Sequence, residues 1–165
     1  MAKTNSSLEQ SSLYDKLILS YKPYCCLADR KELSIKEKQA VYKLKLSQIA
    51  PTAVFSIDGV IIKEGLRCDK LVLVQFETKS NLWNNVFVEL KGTAIRHAIK
   101  QLRETIKNSL FYHQSNKNIY ARVVGSSFPS NKSDPTIEMA KREFRRAYKC
   151  DLKMIRSGQP ERMIV

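Results

Sequence analysis

The chain has 165 residues, 43% of them apolar, which suffices for a single domain with a buried core. It carries 29 Lys and Arg residues against 16 Asp and Glu, a formal net charge of +13 at pH 7. No stretch approaches the roughly 18 apolar residues of a membrane span, so a transmembrane protein is not expected. The positive charge predicts a polyanionic partner, most commonly nucleic acid, although a merely soluble basic surface is the alternative.

The beginning of the chain predicts a loose polar arm over residues 1–12 and a single domain over residues 13–165. The arm has no apolar stretch of signal-peptide type, so we expect a cytoplasmic location. The cysteines show neither CxxC nor Cys/His zinc spacing, which favours reduced, partly buried thiols over a structural zinc site. They are Cys25, Cys26, Cys68 and Cys150.

The first third of the chain contains two helical patterns. Apolar residues at helical spacing predict a short helix over residues 12–21, which ends before Pro23. Residues 34–37 read Ser-Ile-Lys-Glu, the form of a capping box. They predict a second helix over residues 34–49, ended by Pro51.

The middle of the chain is typical of strands. Residues 53–62 are rich in β-branched and apolar side chains, and the turn that follows them falls either at 63–65 or at Asp58-Gly59. A second strand is predicted over residues 66–76, where four consecutive aliphatic residues indicate burial on both faces. A third is predicted over residues 86–90.

The last part of the chain alternates between predicted helices and predicted strands. A helix is predicted directly after Gly92, with Thr93 as its cap, and a fourth strand over residues 119–124. Pro135 suits the first turn of a final helix, and residues 152–155 and 162–165 are predicted to form a closing hairpin or an edge strand. The order of helix, three strands, helix, strand and helix predicts an α/β protein.

Three residues are candidates for catalysis: one acid in the second strand, and an acid and a lysine at the end of the third. Asp69 precedes Glu89 by 20 positions, and Lys91 follows Glu89 by two, so Glu89 and Lys91 emerge on one face. Two carboxylates and an ammonium at one sheet edge suit a hard divalent cation and an activated water. A second ExK at residues 77–79 leaves its strand for a polar loop. A structural salt bridge of Lys91 with Glu89 or Asp69 is the alternative.

Asp69 and Glu89-Leu90-Lys91, on successive strands of an αβββαβ order, resemble the PD-(D/E)XK nuclease superfamily over about residues 34–128. Cys68 stands where the family's proline would be. The resemblance implies a three-layer, restriction-endonuclease-like core, with a mixed central sheet flanked by helices.

The resemblance also implies a hydrolase that cuts phosphodiester bonds, with DNA as the expected substrate and Mg²⁺ or Mn²⁺ as the cofactor. It assigns the metal to Asp69, Glu89 and the Leu90 carbonyl, with Glu37 as a further candidate ligand, and gives Lys91 the role of orienting the attacking water. Many relatives dimerise, so a homodimer or larger complex is a further expectation.

Other residues are candidates for substrate contact. The resemblance suggests this role for Gln101, for which a solvated helix position is the alternative. Basic helix faces predict phosphate contact by Arg96, Lys100, Arg103, Lys141, Arg142, Arg145 and Arg146. Trp83 is a weaker candidate for stacking on a base. The alternative function is a non-catalytic nuclease fold, or a small basic protein, that binds DNA, RNA or a protein partner.

Overall fold

The computed structural model describes residues 11–77, 80–90, 94–128 and 134–165. These ranges contain three helices and seven strands: α1 (Leu13–Ile18), β1 (Cys25–Glu37), β2 (Ala40–Ser56), β3 (Lys70–Gln75), β4 (Trp83–Leu90), α2 (Ile95–Ile106), β5 (Asn116–Gly125), α3 (Pro135–Tyr148), β6 (Cys150–Arg156) and β7 (Pro160–Met163). None of the helices in these ranges is long and apolar enough to cross a membrane.

All seven strands belong to one mixed sheet, ordered β1-β2-β3-β4-β5-β6, with β7 paired to β2. Strands β1 to β4 form an antiparallel meander, whereas β4, β5 and β6 are parallel. Helices α2 and α3 provide the crossovers that parallel neighbours require. The predicted α/β class is therefore confirmed. The element order differs from the predicted αβββαβ, because four strands precede α2.

The helix predicted over residues 34–49 is wrong, because this segment belongs to the long β1–β2 hairpin. Tyr42, Leu44 and Leu46 are buried, whereas the lysines between them are exposed, which is the period of a strand. Ser34 pairs with Lys43 across the ladder and caps no helix.

The sheet carries a core on each face. Residues of α1, α2 and α3 pack with one face, through side chains such as Leu17, Leu102 and Phe144. The other face is covered by the β1–β2 hairpin and β7, with Tyr42 and Met163 in that core. The expected arrangement of helices on both sides is therefore not what the described residues show, because the hairpin curls over the second face.

Several local predictions are confirmed. Helix α1 begins after Ser12, whose side chain accepts a hydrogen bond from the Asp15 amide. Helix α3 begins with Pro135, and Asp134 caps it through the Thr136 amide. The chain turns at both candidate positions, with φ values of 77° at Gly59 and 83° at Gly65, but neither turn is a tight hairpin, because residues 57–69 separate β2 from β3.

Two further predictions are corrected by the packing. Residues 152–155 and 162–165 do not form a hairpin with each other, because β6 pairs in parallel with β5 and β7 pairs in parallel with β2. Trp83 is 5% exposed and stacks on Tyr14, with ring centroids 5.7 Å apart. Its ring is therefore part of the core and not a platform for a base.

A buried charged network, not foreseen in the sequence, joins four strands. Arg122 of β5 is 1% exposed and donates to Glu161 of β7 at 2.6 Å and to the Asp151 carboxylate of β6 at 3.0 Å. Tyr42 of β2 donates to the other Glu161 oxygen at 2.6 Å. Burial, with the negative charge of Glu161, raises the pKa of Tyr42 well above its usual value, so the hydroxyl remains a donor.

The cysteines lead to a prediction about alkaline pH. All four are free thiols, as expected, and Cys68 and Cys150 are buried. Burial disfavours the thiolate and raises the pKa of Cys150 from 9.0 to about 12. The unfolded chain releases this proton first, so the stabilisation is complete below about pH 9 and is lost as the pH rises towards 12.

We expect Cys150→Ala to make the fall in unfolding free energy between about pH 9 and 11 shallower, by about 1.4 kcal/mol per pH unit. Urea titrations at a series of pH values measure this slope. Cys26→Ala removes an exposed thiol and serves as the control, with an unchanged slope expected. Equal slopes for Cys150→Ala and the wild type would contradict the prediction.

Candidate functional site

A cleft of about 740 Å³ lies at one edge of the sheet. Leu90, Ser126 and Ser157, which line it, stand at or just beyond the ends of the parallel strands β4, β5 and β6. The carboxyl ends of parallel strands are the usual place for a ligand in an open α/β sheet. The hairpin turn between β1 and β2 forms another wall, and Asp58 and Asp69 also line the cleft.

The register of β3 and β4 brings the two predicted acids together. Lys70 pairs with Val88, and the N–H of the preceding residue, Asp69, donates to the Val88 carbonyl at 3.1 Å, so Asp69 lies beside the end of β4 that carries Glu89. Glu89 follows the alternation of Phe87, whose side chain belongs to the helix-side core, whereas Asp69 precedes the first residue of β3. The register thus brings Asp69 close to the strand end that carries Glu89, and a common face for the two carboxylates stays a prediction.

The backbone of β4 orients the first of these acids. The Leu90 N–H donates to Oδ2 of Asp69 at 2.7 Å. Leu90 also lines the cleft, so the segment predicted to supply a carbonyl ligand lies beside Asp69. The contact to the Leu90 amide was not foreseen, because it depends on the register of the two strands.

The two acids differ in their access to solvent. Asp69 is 5% exposed and lines the cleft, whereas Glu89 is 0% exposed. Burial of two neighbouring carboxylates is costly because their charges repel each other, and a positive group between them relieves the repulsion. Lys91, the predicted third member of the site, lies outside the described residues, as does the predicted cap Thr93.

Helix α2 fixes the chain just before Asp69. Thr105 accepts from the Cys68 N–H at 2.8 Å, and Gln101 donates to the Arg67 carbonyl at 2.9 Å. Burial raises the pKa of the Cys68 thiol, and the negative charges of Glu89 and Asp69 raise it further. Gln101, predicted to contact substrate, is 9% exposed and is hydrogen-bonded to the segment that leads into β3.

Glu37, the additional acid considered for the metal, lies on the hairpin wall of the same cleft. Its Oε2 is 3.3 Å from Nζ of Lys70, and this lysine also lies 4.9 Å from the centroid of the Tyr24 ring. The part of the chain that the structure describes contains no cluster of three or more Asp, Glu, His or Cys side chains that could hold a metal. Glu37 is thus part of the cleft but does not join Asp69 and Glu89 in such a cluster.

Asp58, a poorer candidate than Glu37 for an additional acid at the metal, also lines the cleft. It follows the end of β2 and forms an ion pair with Arg67, with 2.7 Å between Oδ1 and Nε. The available signal was its position, because it directly follows a strand that ends at the same edge as β4.

The predicted basic residues divide into two groups. Arg103 donates two hydrogen bonds of 2.8 Å to Glu143, which ties α2 to α3, and Lys141 lies 3.4 Å from Glu138. The remaining five are exposed and make no ion pair with any other described residue: Arg96, Lys100, Arg142, Arg145 and Arg146. These five cations are the ones best placed for phosphate.

The chain matches no protein-family model, no curated protein and no solved structure. The structure itself defines an α/β protein with a mixed seven-stranded sheet and an acidic cleft at one edge. A functional assignment therefore depends on the geometry and chemistry of this cleft and of the basic helices.

Proposed function

We propose that this protein is a metal-dependent nuclease of the PD-(D/E)XK type, which hydrolyses phosphodiester bonds in nucleic acid, with DNA as the expected substrate. The observation that carries the proposal is that Asp69, which lines the cleft, is hydrogen-bonded to Val88 and Leu90, the two residues that flank Glu89. The three antiparallel strands β2 to β4, followed by α2 and the parallel strand β5, are compatible with the restriction-endonuclease-like core.

The donor chemistry of the site fits Mg²⁺ or Mn²⁺. Both cations prefer oxygen ligands, and Mg²⁺ needs only one or two carboxylates because it retains several waters. Asp69 and Glu89 would hold the cation, with the Leu90 carbonyl as a further ligand. When bound, the cation would neutralise charge at the phosphate and acidify the attacking water.

The protein's own groups position this chemistry. The Leu90 N–H fixes one oxygen of Asp69, and the contacts of Thr105 and Gln101 hold the chain that leads into it. Lys91 would orient the attacking water, since it follows Glu89 by two positions in the sequence. Glu37 is retained as a weaker candidate ligand on the opposite wall.

The exposed cations of α2 and α3 are proposed to bind the phosphate backbone. Each phosphate contact contributes about 0.7–0.9 to the slope of log Kobs against log salt concentration. We therefore expect simultaneous Arg142→Gln, Arg145→Gln and Arg146→Gln to reduce the slope for a DNA oligonucleotide by about 2 to 3. Fluorescence anisotropy at several salt concentrations, in EDTA, measures it.

A matched control removes positive charge from the opposite side of the sheet. Lys43 and Lys45 are exposed on the hairpin, which covers the face away from the helices. We expect the double variant Lys43→Gln and Lys45→Gln to change the slope by less than about 1. A larger effect there than on α3 would assign DNA binding to the hairpin.

A second candidate function is a nucleic-acid-binding protein without cleavage, and the burial of Glu89 favours it. This side chain is 0% exposed and is not among the residues that line the cleft, whereas a metal ligand there would line it. Such a protein would bind oligonucleotides with the same salt dependence but leave them intact.

Incubation with plasmid and oligonucleotide substrates in Mg²⁺, Mn²⁺ or EDTA tests the proposal and separates it from this alternative. Cleavage in either metal that EDTA abolishes supports the nuclease. Binding without cleavage in either metal supports the binding protein.

A further inference from the structure

A second cavity, of about 240 Å³, lies at the other end of β4, between the C-terminal parts of α2 and α3. Its inner side is formed by the buried residues Asn85, Phe87, Ile106 and Phe111. Tyr112, on its outer side, is 59% exposed, which makes the cavity accessible from solvent. The volume is below the roughly 300–1,000 Å³ of sites for drug-sized ligands, so it suits a small ligand.

Asn85 gives this cavity a specific polar group. The residue is 0% exposed, and neither its amide nitrogen nor its amide oxygen has a hydrogen-bond partner among the described residues. Such a group in an aromatic cavity is costly unless a ligand or water satisfies it. A ligand edge that offers one donor and one acceptor, side by side, would satisfy both atoms at once.

The surrounding rings favour a flat ligand. Phe87 and Phe111 meet edge to face, with ring centroids 5.3 Å apart, and Tyr148 is held in the same way by Phe144 at 5.7 Å. The Tyr112 hydroxyl donates to the Lys107 carbonyl at 3.2 Å, which holds a further ring beside the cavity. Aromatic faces of this kind stack with nucleobases.

We infer that this cavity binds a nucleobase, with adenine preferred. The amide of asparagine forms a bidentate pair with N6 and N7 of adenine, which requires one donor and one acceptor on the protein. Exposed cations on and next to α3 would receive the attached phosphate: Lys149 lines the cavity, and Arg145 and Arg146 lie within the preceding turn. The ligand is an adenine nucleotide, either free or as part of a single strand.

This site is independent of the proposed cleavage. Asn85 and Leu90 are five residues apart on β4, which corresponds to about 16 Å along a strand. Binding can therefore be measured in EDTA, where no metal-dependent reaction occurs. Failure of base binding leaves the cleavage assay untouched, and failure of cleavage leaves this measurement untouched.

Isothermal titration calorimetry with AMP, and with ribose 5-phosphate as the ligand without a base, tests the inference. We expect AMP to bind at least about tenfold more tightly than ribose 5-phosphate, because one good bidentate pair is worth a factor of about 5 to 150. Asn85→Leu should remove this preference, and Tyr112→Ala should weaken AMP binding by about fivefold or more.

The controls keep each outcome interpretable. Met139→Ala changes a residue of α3 that is 64% exposed and lies outside the cavity, so it should leave AMP binding unchanged. Tyr112 is exposed, so its variant remains informative if Asn85→Leu fails to fold. Equal affinity of the wild type for AMP and ribose 5-phosphate would overturn the inference, and so would AMP binding that neither variant alters. Either result would indicate that bound water satisfies the Asn85 amide.

An oligoadenylate distinguishes the two sources of the base. Competition between this single strand and AMP would assign the cavity to a base within a strand. AMP binding without such competition would assign it to a free nucleotide. Both results support the site, whereas binding of neither ligand overturns it.

Discussion

Glu89→Gln and Asp69→Asn are each expected to reduce metal-dependent cleavage by at least about 100-fold. Loss of groups that only support metal ligands typically costs about 10- to 100-fold, and loss of a ligand should exceed this range. Both substitutions keep the shape of the side chain and remove its charge. Initial cleavage rates on one oligonucleotide, at a fixed Mg²⁺ concentration, measure the effect.

The matched control is Asp58→Asn, which removes a carboxylate charge from the same cleft but from a residue paired with Arg67. We expect its cleavage rate to remain within about threefold of the wild type, because an exposed ion pair contributes about 0–1 kcal/mol. Wild-type rates for Glu89→Gln would remove Glu89 from the site. An equal loss for Asp58→Asn would show that cleavage depends on the total charge of the cleft more than on Asp69 and Glu89 themselves.

Metal binding gives a readout that does not depend on cleavage. Mg²⁺ at about 100 times its Kd should stabilise the wild-type protein by about 2.7 kcal/mol. Thermal unfolding with and without Mg²⁺ measures this shift, which Glu89→Gln and Asp69→Asn should abolish. A stabilisation that both variants retain would place the metal elsewhere.

The second large effect is expected at the buried network, where Arg122→Met should destabilise the protein by about 3–5 kcal/mol. Removal of one partner from a buried ion pair leaves the other charge without compensation, and Glu161 is mostly buried, with 9% of its side chain exposed. The same network joins β2, β5, β6 and β7, so the loss affects several strands together. Urea unfolding, monitored by circular dichroism, gives the difference in free energy.

Two comparisons isolate the buried charge as the cause. Lys45→Met breaks an exposed ion pair, in which the side chain of Lys45 is 48% exposed and that of Glu32 is 68% exposed. This variant should lower the free energy of unfolding by less than about 1 kcal/mol. Adding Glu161→Leu to Arg122→Met should recover part of the lost stability, because the unpaired carboxylate is then absent. A double variant as unstable as the sum of its two single variants would indicate that packing, and not charge, dominates.

The parts of the fold that the sequence predicted are those with strong local signals. The aliphatic run of β3 and the Asp134-Pro135 start of α3 specify their structures within a few residues. The β1–β2 hairpin was mistaken for a helix because residues 34–37 resemble a capping box. The alternation of Tyr42, Leu44 and Leu46 was present, but it takes effect through pairing with distant residues.

The candidate site was predictable to the same extent. The strand patterns and the separation of Asp69 from Glu89 were enough to predict that Asp69 lies beside the end of β4. The contact of the Leu90 amide with Asp69, and that of Thr105 with Cys68, follow from the register and from helix packing, which no local pattern reveals. Asn85 was overlooked, although an amide within an otherwise largely apolar strand was a signal for a polar site.

The parallel pairing of β2 with β7 has a consequence for synthesis on the ribosome. The Val41 amide donates to Ser157, 116 positions later, and the turn that contains Ser157 forms part of the cleft wall. A nascent chain therefore contains Asp69 and Glu89 long before it contains Ser157, which completes this wall of the cleft. Contacts this distant in sequence form slowly, so any activity should arise only after translation of the final strand.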